Sequence, residues 1–365
     1  MITISKKEFL EGLNIGGAMA GHSKTMPMYE FAKFDIKGTV LIVSSCDGEA
    51  SITKRVEMLS NTDGDFAFCA SPKDIVAVIK SISDTEIKFE VANNTMLITH
   101  KKGEMQLPAQ EADNFPMLSE GDMDSFATLK AKDLFNALKE ASLFVAADEV
   151  RLVMSGIYLR FEDNALSIAS TDGKKLYCNV LPCSFTQEAM EGIIKAKHTS
   201  AILSLVNGAD DVHVCVGERN IYIKVFDSML CARRIEGNYP KYKTVIPTSY
   251  NMTARMLVSD LMDSAKRVSM ASSDSNLLKL TMHGAALEIS SEDVMTNKRA
   301  KETHLCEVMG GELQIGASSQ VLANCLSVIE SEYVTMRFVD ATRPIVYVDD
   351  ANENKIAMSM PMRVE

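Results

Sequence analysis

The chain has 365 residues, of which 46% are hydrophobic, and its formal net charge is −11. This length exceeds what one hydrophobic core usually organises, and the apolar content excludes a disordered chain, so we expect several folded domains. No apolar run reaches the roughly 18 residues that span a bilayer. Residues 1–6 lack the order of regions of a signal peptide, so we expect a cytoplasmic protein with no membrane partner.

Three copies of one pattern follow each other along the chain. A helix-like apolar stripe opens each third, and the opening residues are offset by 134 − 9 = 125 and 261 − 134 = 127 positions. The stripes are Phe9, Leu10 and Leu13, then Leu134, Phe135 and Leu138, then Leu261, Met262 and Ala265. A period kept over such intervals predicts three domains of one kind, arranged as an arc or a ring.

Each third continues with strands, a tight turn and a second helix. The turns carry Asp47, Asp172 and Asp293. Apolar pairs four residues apart predict the second helices at Ile75/Ile79, Ile202/Val206 and Leu322/Leu326. Apolar and β-branched runs predict strands at 36–43, 86–91, 165–169, 212–216, 286–289 and 333–339. We therefore expect the α+β class, with two helices packed on antiparallel sheet in every repeat.

Aromatic and proline residues mark the passage from one repeat to the next. They stand in the segments 113–116 (DNFP) and 237–240 (GNYP). Because proline removes a strand's backbone donor and ends regular pairing, a crossing between domains is expected there. The predicted domains are residues 1–122, 123–247 and 248–365.

Motifs of catalysis and of metal binding are missing from the sequence. It contains no phosphate-binding loop, no dinucleotide fingerprint, no nucleophile elbow and no zinc-protease motif. The eight cysteines are dispersed without a CxxC pair, and the acidic pairs at 63/65, 210/211 and 349/350 are typical of turns. We expect no cofactor, no metal and no catalytic residue.

Two stretches are compatible with a binding site. Residues 358–365 (MSMPMRVE) place three methionines on one face of an extended strand. Such a face suits varied apolar partners, but this segment taken alone favours an edge strand that packs on its own core. Residues 237–247 (GNYPKYKTVIP) form either an interdomain linker or part of a site, and composition does not decide between them.

The sequence resembles the β subunit family of bacterial DNA polymerase III, the sliding clamps. The features that carry the resemblance are the three repeats, the segments 151–156 and 170–176, the Tyr-Pro-x-Tyr linker and the terminal 360–363 (MPMR). The resemblance implies a head-to-tail homodimer closed into a six-domain ring around duplex DNA, of which this chain is half. It implies a non-catalytic processivity factor that tethers the replicative polymerase and other replication and repair proteins through short linear peptides. A clamp-loader ATPase is the implied partner that opens the ring.

The resemblance also implies site residues. The implied peptide pocket comprises Arg151, Met154, Thr171, Gly173, Lys174, Leu176, Pro240, Val245, Ser318, Val321, Thr342, Pro344, Met358, Met360, Pro361, Met362 and Arg363. The implied DNA contacts are Lys24, Lys73 and Lys197. The implied dimer interface contains Met105 and Leu107 on one side and Ser269 and Met270 on the other. Lys174 and Thr244 replace the histidine and arginine of many relatives, and Glu365 extends the usual end.

Two other functions remain open at this point. One is a three-repeat scaffold that binds proteins but not DNA, which predicts a monomer or an open arc. The other is a metal-dependent enzyme of nucleic-acid metabolism with an unrecognised carboxylate site, which predicts turnover with a divalent metal ion.

Overall fold

The computed structural model describes residues 1–21, 26–118, 123, 125–147, 149–185, 188–272 and 275–364. Its α-helices are α1 (Lys6–Gly16), α2 (Pro72–Ser81), α3 (Ala131–Ala141), α4 (Thr199–Val206), α5 (Val258–Ser269) and α6 (Ser319–Ser327). Each third of the chain thus contains two helices, as the sequence predicts. The predicted apolar stripes form the buried faces of these helices, with Phe9, Leu134 and Leu261 fully buried.

The strands fill the rest of each third. In the first third they are β1 (Ile2–Ser5), β2 (Ala32–Lys37), β3 (Val40–Cys46), β4 (Ala50–Glu57), β5 (Ser60–Asn61), β6 (Phe66–Ala70), β7 (Glu86–Ala92), β8 (Thr95–His100) and β9 (Gly103–Glu111). In the second they are β10 (Ala127–Lys130), β11 (Gly156–Glu162), β12 (Ala165–Thr171), β13 (Lys175–Pro182), β14 (Met190–Lys195), β15 (Asp211–Val216), β16 (Asn220–Val225) and β17 (Ser228–Arg233). In the last they are β18 (Met252–Leu257), β19 (Leu277–His283), β20 (Ala286–Asp293), β21 (Lys298–Leu305), β22 (Glu307–Met309), β23 (Leu313–Ser318), β24 (Tyr333–Phe338), β25 (Ile345–Asp349) and β26 (Asn352–Ser359).

The prediction of a single strand over 36–43 is wrong. β2 ends at Lys37 and β3 begins at Val40, and the two pair as an antiparallel hairpin. Gly38 has a φ of +56°, in the left-handed region that glycine adopts without a steric penalty. The apolar run therefore contains a turn at the one residue that lacks a side chain.

The chain divides into two compact units that do not coincide with the three repeats. Unit 1 contains Met1–Phe135 and Cys183–Arg234, and unit 2 contains Asn136–Pro182 and Ile235–Glu365. Sheet pairing between repeats explains this division. In unit 1, β17 of the second repeat pairs with β4 of the first, and in unit 2, β13 of the second repeat pairs with β26 of the third.

Unit 1 is built on one continuous sheet. Its strands follow the order β10-β15-β16-β17-β4-β3-β2-β6-β9-β8-β7-β1-β5. Helices α1 and α2 bury their apolar faces against the first-repeat part of this sheet, where the rings of Phe9 and Phe89 stack 5.5 Å apart. Ser71 caps α2 by accepting a hydrogen bond from the backbone of Asp74, and Pro72 occupies the first helical position.

Unit 2 contains two sheets. One runs β11-β12-β13-β26-β25-β24-β18-β22, and the other runs β21-β20-β19-β23. Helix α5 buries Leu261, Ala265 and Val268, and α6 buries Leu322 and Leu326. β26 is an inner strand, because it pairs with β13 on one side and β25 on the other. The edge-strand alternative for the C-terminal segment therefore does not hold for β26.

Candidate functional site

An apolar cavity of about 290 Å³ opens on unit 2, and we call it the first cavity. Four separate segments line it: the short segment that contains Met154, the turn between β12 and β13, the connecting segment 240–245 and the end of β26. The pocket residues implied by the sequence that line it are Met154, Thr171, Gly173, Lys174, Leu176, Pro240, Val245, Met358 and Met360. Four further residues line the cavity that are not among the pocket residues implied by the resemblance: Lys175, Lys241, Tyr242 and Thr244.

The turn that borders the first cavity is fixed by its own polar groups. The Asp172 carboxylate accepts hydrogen bonds from the backbone N–H groups of Lys174 and Lys175, at 2.8 and 2.9 Å. The Thr171 hydroxyl donates to the Lys175 carbonyl and accepts from the Gly173 N–H. Gly173 has a φ of +87°, which favours glycine. These contacts hold the turn in one shape before any partner arrives.

Arg151 connects a second segment to this turn. Its guanidinium donates a 2.6 Å hydrogen bond to the Asp172 carbonyl, and it lies 3.9 Å from the Met154 sulfur. Arg151 itself has a non-helical backbone, with φ −107° and ψ 63°, inside the short 3-10 segment Glu149–Ser155. Arg151 is not among the residues that line the first cavity. Its contacts instead position the turn and Met154, and both of these line the cavity.

The floor of the first cavity is part of a hydrophobic core. Leu176 on β13 faces Met358 on β26, and both side chains are almost fully buried, with 1% and 3% exposure. Tyr242 packs into the same cluster, and burial raises the pKa of its hydroxyl to about 12. The rim is open, since Val245 is 52% and Met360 42% exposed. A ligand would thus meet a rigid apolar floor between adaptable apolar edges.

A second cavity of about 720 Å³ adjoins the C-terminal segment, also in unit 2. Thr342, Pro361, Met362 and Arg363 line it, together with residues 314–316. The Met362 N–H donates to the Gly316 carbonyl, and a Cβ at Gly316 would lie 2.4 Å from the Met362 carbonyl oxygen. Gly316 is therefore needed for the close approach of the C-terminal segment, which the sequence analysis did not anticipate.

Besides Arg151, three of the implied pocket residues lie outside both cavities and stay predictions, whereas the methionine pattern needs correction. Ser318 caps α6 by accepting from the Val321 N–H at 3.5 Å, and neither residue lines the two cavities, nor does Pro344. The three methionines do not share one strand face, because β26 ends at Ser359. Met358 and Met360 line the first cavity, and Met362 lines the second.

The basic residues implied as DNA contacts have different environments. Lys73 is exposed in the first turn of α2. Lys197 lies in the 3-10 segment before α4, and its ammonium is 3.0 Å from the Asp47 carboxylate and 2.5 Å from that of Glu49. Burial alone would lower the pKa of Lys197, but these two contacts raise it. Lys24 lies outside the described residues.

Asp47, Glu49 and His198 form a group that could offer three ligand atoms to a metal ion. His198 is buried and its Nε2 lies 3.1 Å from Asp47, although the two residues are 151 positions apart. The ammonium groups of Lys195 and Lys197 already contact the two carboxylates. Since these cations balance the negative charge, the arrangement is that of an ion-pair network.

The implied interface residues lie on exposed surfaces of β9 and α5. Met105 is 40% exposed on β9, and Leu107 on the same strand is partly buried. Ser269 ends α5 and Met270 follows it with 69% exposure. Residues 103–108 of β9 pair with β8 on one side only within the described part of the chain, since β6 pairs only with residues 109–111.

Comparison with known families accounts for nearly the whole chain. Residues 1–119, 128–241 and 243–363 match, respectively, the N-terminal, central and C-terminal domains of the DNA polymerase III beta subunit. The chain belongs to the DNA polymerase III beta subunit family. It is similar to the beta sliding clamp of Staphylococcus epidermidis, with 23% identity over 373 residues covering 99% of this chain and 98% of the relative. The clamp of Staphylococcus aureus is 22% identical over 371 residues, with the same coverage.

Solved beta subunit structures have the same fold. A Pseudomonas aeruginosa clamp bound to griselimycin superimposes with a TM-score of 0.94 at 20% identity, covering 100% of this chain and 99% of that one. A Thermotoga maritima beta subunit gives 0.94 at 18% identity, and a Bacillus subtilis clamp gives 0.92 at 19%, both with 100% and 99% coverage.

Membership of the beta subunit family identifies the function of the chain. The family consists of non-catalytic DNA polymerase processivity factors, which form dimers, encircle DNA and bind the polymerase and other proteins. The three clamp domains with antiparallel sheets fit this function. Neither the DNA-free scaffold nor the metal-dependent enzyme is supported. None of the helices in the described ranges has the length and apolar character needed to cross a membrane.

Proposed function

We propose that the first cavity receives the short linear peptides through which polymerases and other proteins bind this clamp. The observation that carries the proposal is the apolar floor of Leu176 and Met358, which is enclosed by a preformed polar turn. A groove of this kind, with apolar walls and few polar groups, suits a peptide with bulky aliphatic or aromatic residues and a glutamine.

The second cavity extends this proposed site along the C-terminal segment. The Met360 N–H donates to the Lys174 carbonyl, and two residues later the Met362 N–H donates to the Gly316 carbonyl. The chain therefore runs from the lining of the first cavity to that of the second within three residues. We assign Pro361, Met362, Arg363 and Thr342 to the part of the site that holds the other end of the peptide.

Truncation of methionines on this segment tests the peptide site. Met360→Ala and Met362→Ala remove exposed or half-exposed contacts, so the fold should be retained while peptide affinity falls about five- to thirtyfold. Met295→Ala is the matched control, because Met295 is 94% exposed in unit 2 and lines neither cavity. Calorimetry with a polymerase-type peptide measures the effect, and unchanged affinity in both variants would contradict the assignment.

We propose that the dimer forms between β9 of one subunit and the α5–β21 region of the other. Residues 103–108 of β9 and the outer edge of β21 are both unpaired within the described residues, and edges of this kind can join sheets between subunits. Met105 and Leu107 would pack against Ser269 and Met270. A head-to-tail contact of two such ends, repeated by a two-fold axis, closes a ring.

Sedimentation equilibrium tests this interface. Met270→Lys should raise the dimer dissociation constant about tenfold to a hundredfold, since it introduces an unpaired charge into an apolar contact. Phe226→Lys adds the same charge at an exposed site of the second repeat, away from β9, α5 and β21 in the chain, and should leave the dimer intact. Equal dissociation of the two variants would place the interface elsewhere.

We propose that DNA is held by ring closure and that Lys24 and Lys73 contribute a mildly positive lining. Lys197 belongs to the same proposed lining but contributes less, because Asp47 and Glu49 compensate its charge. A chain with a net charge of −11 is poorly suited to retention by phosphate contacts alone. A clamp loaded on circular DNA should then survive salt that removes ordinary binders, because salt weakens contacts but cannot unlink a closed ring. Linearisation of the circle should release it, and equal loss from both templates would refute retention by closure.

We propose the domain boundaries 1–122, 123–247 and 248–365. The matched family domains support them because they end within a few residues of these positions.

We also propose a cytoplasmic location. Its support is the replication function together with eight cysteines that are all free thiols, as a reducing compartment favours.

A further inference from the structure

A third cavity lies beside the first one in unit 2. It has a volume of about 350 Å³, and Pro240, Lys241 and Tyr242 line both this cavity and the first. The two cavities therefore share one wall. A peptide that fills the first cavity and continues past its end can reach the third.

The floor of the third cavity is aromatic and rigid. The rings of Tyr158 and Tyr239 stack with centroids 5.0 Å apart and an interplanar angle of 13°. Tyr242 meets both rings edge-on, at 6.2 and 6.5 Å. A cluster of three tyrosines in these geometries loses little entropy when a ligand covers it.

The rim of the third cavity is basic. Arg160, Lys241 and Lys243 line it, and only Glu162 opposes them. Glu162 is engaged by Arg160 at 2.9 Å, which holds the pKa of the Glu162 carboxyl below its usual value. Lys241 and Lys243 are exposed, and neither ammonium forms a close ion pair with a carboxylate of the described residues, although the charge of Lys243 also helps to lower the pKa of Glu162. Lys174, which lines the first cavity, is likewise exposed and forms no close ion pair among the described residues.

This local positive charge contrasts with the net charge of −11 of the whole chain. Exposed lysines around an apolar groove would repel a basic peptide and attract an acidic one.

We propose that the third cavity is an accessory subsite that binds acidic residues flanking the apolar core of partner peptides, with Lys241 and Lys243 as the charge partners. The inference rests on the proposed peptide site in the first cavity. Such a subsite makes the clamp select among partner peptides by the charge of their flanking residues as well as by their apolar core.

Fluorescence anisotropy with synthetic peptides tests the subsite. The reference peptide has a core of glutamine, leucines and phenylalanine with two serines on each side. In one counterpart two glutamates replace the serines before the core, and in the other they replace the serines after it. At low salt, one glutamate arrangement should bind the wild-type dimer about three- to tenfold more tightly than the serine peptide. This advantage should shrink as salt screens exposed charges.

Lys241→Gln/Lys243→Gln should abolish the advantage and leave the affinity of the serine peptide unchanged. Lys88→Gln/Lys224→Gln removes the same charge from exposed positions of unit 1 and should retain the advantage. If the serine peptide binds and neither glutamate peptide binds more tightly, the subsite is refuted while the first cavity stands. If the serine peptide does not bind at all, the peptide site itself fails and the subsite with it.

A duplex oligonucleotide provides the last arm of the test. The lysine double variant should bind it as the wild type does. A loss of duplex binding without any change in peptide selectivity would assign these lysines to DNA and overturn the proposal.

Discussion

The turn of Asp47 in the first repeat and the turn of Asp172 in the second are built on the same hydrogen bonds. Each carboxylate accepts from the N–H groups two and three residues later, at 2.7 to 2.9 Å, and each is followed by a glycine, with φ +88° at Gly48 and +87° at Gly173. The serine two residues before each aspartate donates to the last carbonyl of the preceding helix, at 2.6 and 2.7 Å.

The surroundings of these two turns differ. Asp47 is buried, and its second oxygen contacts His198 and Lys197. The turn of Asp172 is open, and it borders the first cavity with Gly173 and Lys174. One duplicated backbone thus holds two parts of unit 1 together in one repeat and borders the proposed peptide site in the other. The function depends on the side chains that other segments bring to the turn.

Removal of the two carboxylates should separate these roles most clearly. Asp47→Ala leaves His198, Lys197 and two backbone donors without their acceptor, so we expect a loss of about 3 kcal/mol in the free energy of unfolding. Asp172→Ala exposes its donors to water and should lose only about 1 kcal/mol. Urea denaturation monitored by circular dichroism measures both, and equal losses would mean that burial does not distinguish the turns.

Alanine at the two glycines should give a smaller contrast of the same sign. Both positions disfavour a side chain, at about 1–2 kcal/mol for the left-handed backbone. A Cβ at Gly48 would also lie 3.0 Å from the Tyr29 hydroxyl, whereas at Gly173 it meets the Arg151 guanidinium at 3.4 Å, which is ordinary van der Waals contact. Gly48→Ala should therefore be the less stable variant, by about 1 kcal/mol. Gly173→Ala should instead weaken peptide binding, as calorimetry would detect.

The features that repeat in the sequence could be predicted, because local chemistry determines them. The six helices follow from their apolar stripes and pairs, and the register of the turns follows from the aspartates. The hairpin at Gly38 was missed because β-branched residues on both sides outweighed a single glycine.

The composition of the sites could be predicted only in part. The resemblance implies nine of the thirteen residues that line the first cavity, but the lining by Lys241 and Tyr242 depends on how the segment 240–245 packs beside β13. The contact of His198 with Asp47 joins residues 151 positions apart, and no spacing rule reaches that far. Long-range packing, which the sequence does not encode locally, decides which copy of a turn becomes a site.

Acid should weaken the Asp47 turn selectively. Burial alone would raise the pKa of Asp47, but the hydrogen bond from His198 and those from two backbone N–H groups hold it well below the usual range. A lowered pKa in the folded state contributes stability that is present above the unfolded value of about 3.9 and is lost as the pH falls below it. Between pH 5 and pH 3 the wild type should therefore lose at least about 1 kcal/mol more stability than Asp47→Asn. Parallel urea titrations at the two pH values measure this, and identical losses would contradict it.

The smallest expected effect concerns the two described lysines of the DNA lining. Lys197 is held by Asp47 and Glu49, whereas Lys73 is exposed on α2 without an ion pair to any described residue. Lys197→Gln should cost about 0.5–1 kcal/mol of stability and change DNA binding little, because its charge is already compensated. Lys73→Gln should leave stability unchanged and lower the salt dependence of binding to short linear duplex by up to about 0.9 in log–log slope, the value for one phosphate contact. Lys88→Gln, an exposed lysine on β7, is the control that should change neither quantity. If Lys197→Gln lowered the slope more than Lys73→Gln, the ion pairs around Asp47 would have to open when DNA enters the ring. The buried turn of the first repeat would then take part in binding, as we propose for the open turn of the second.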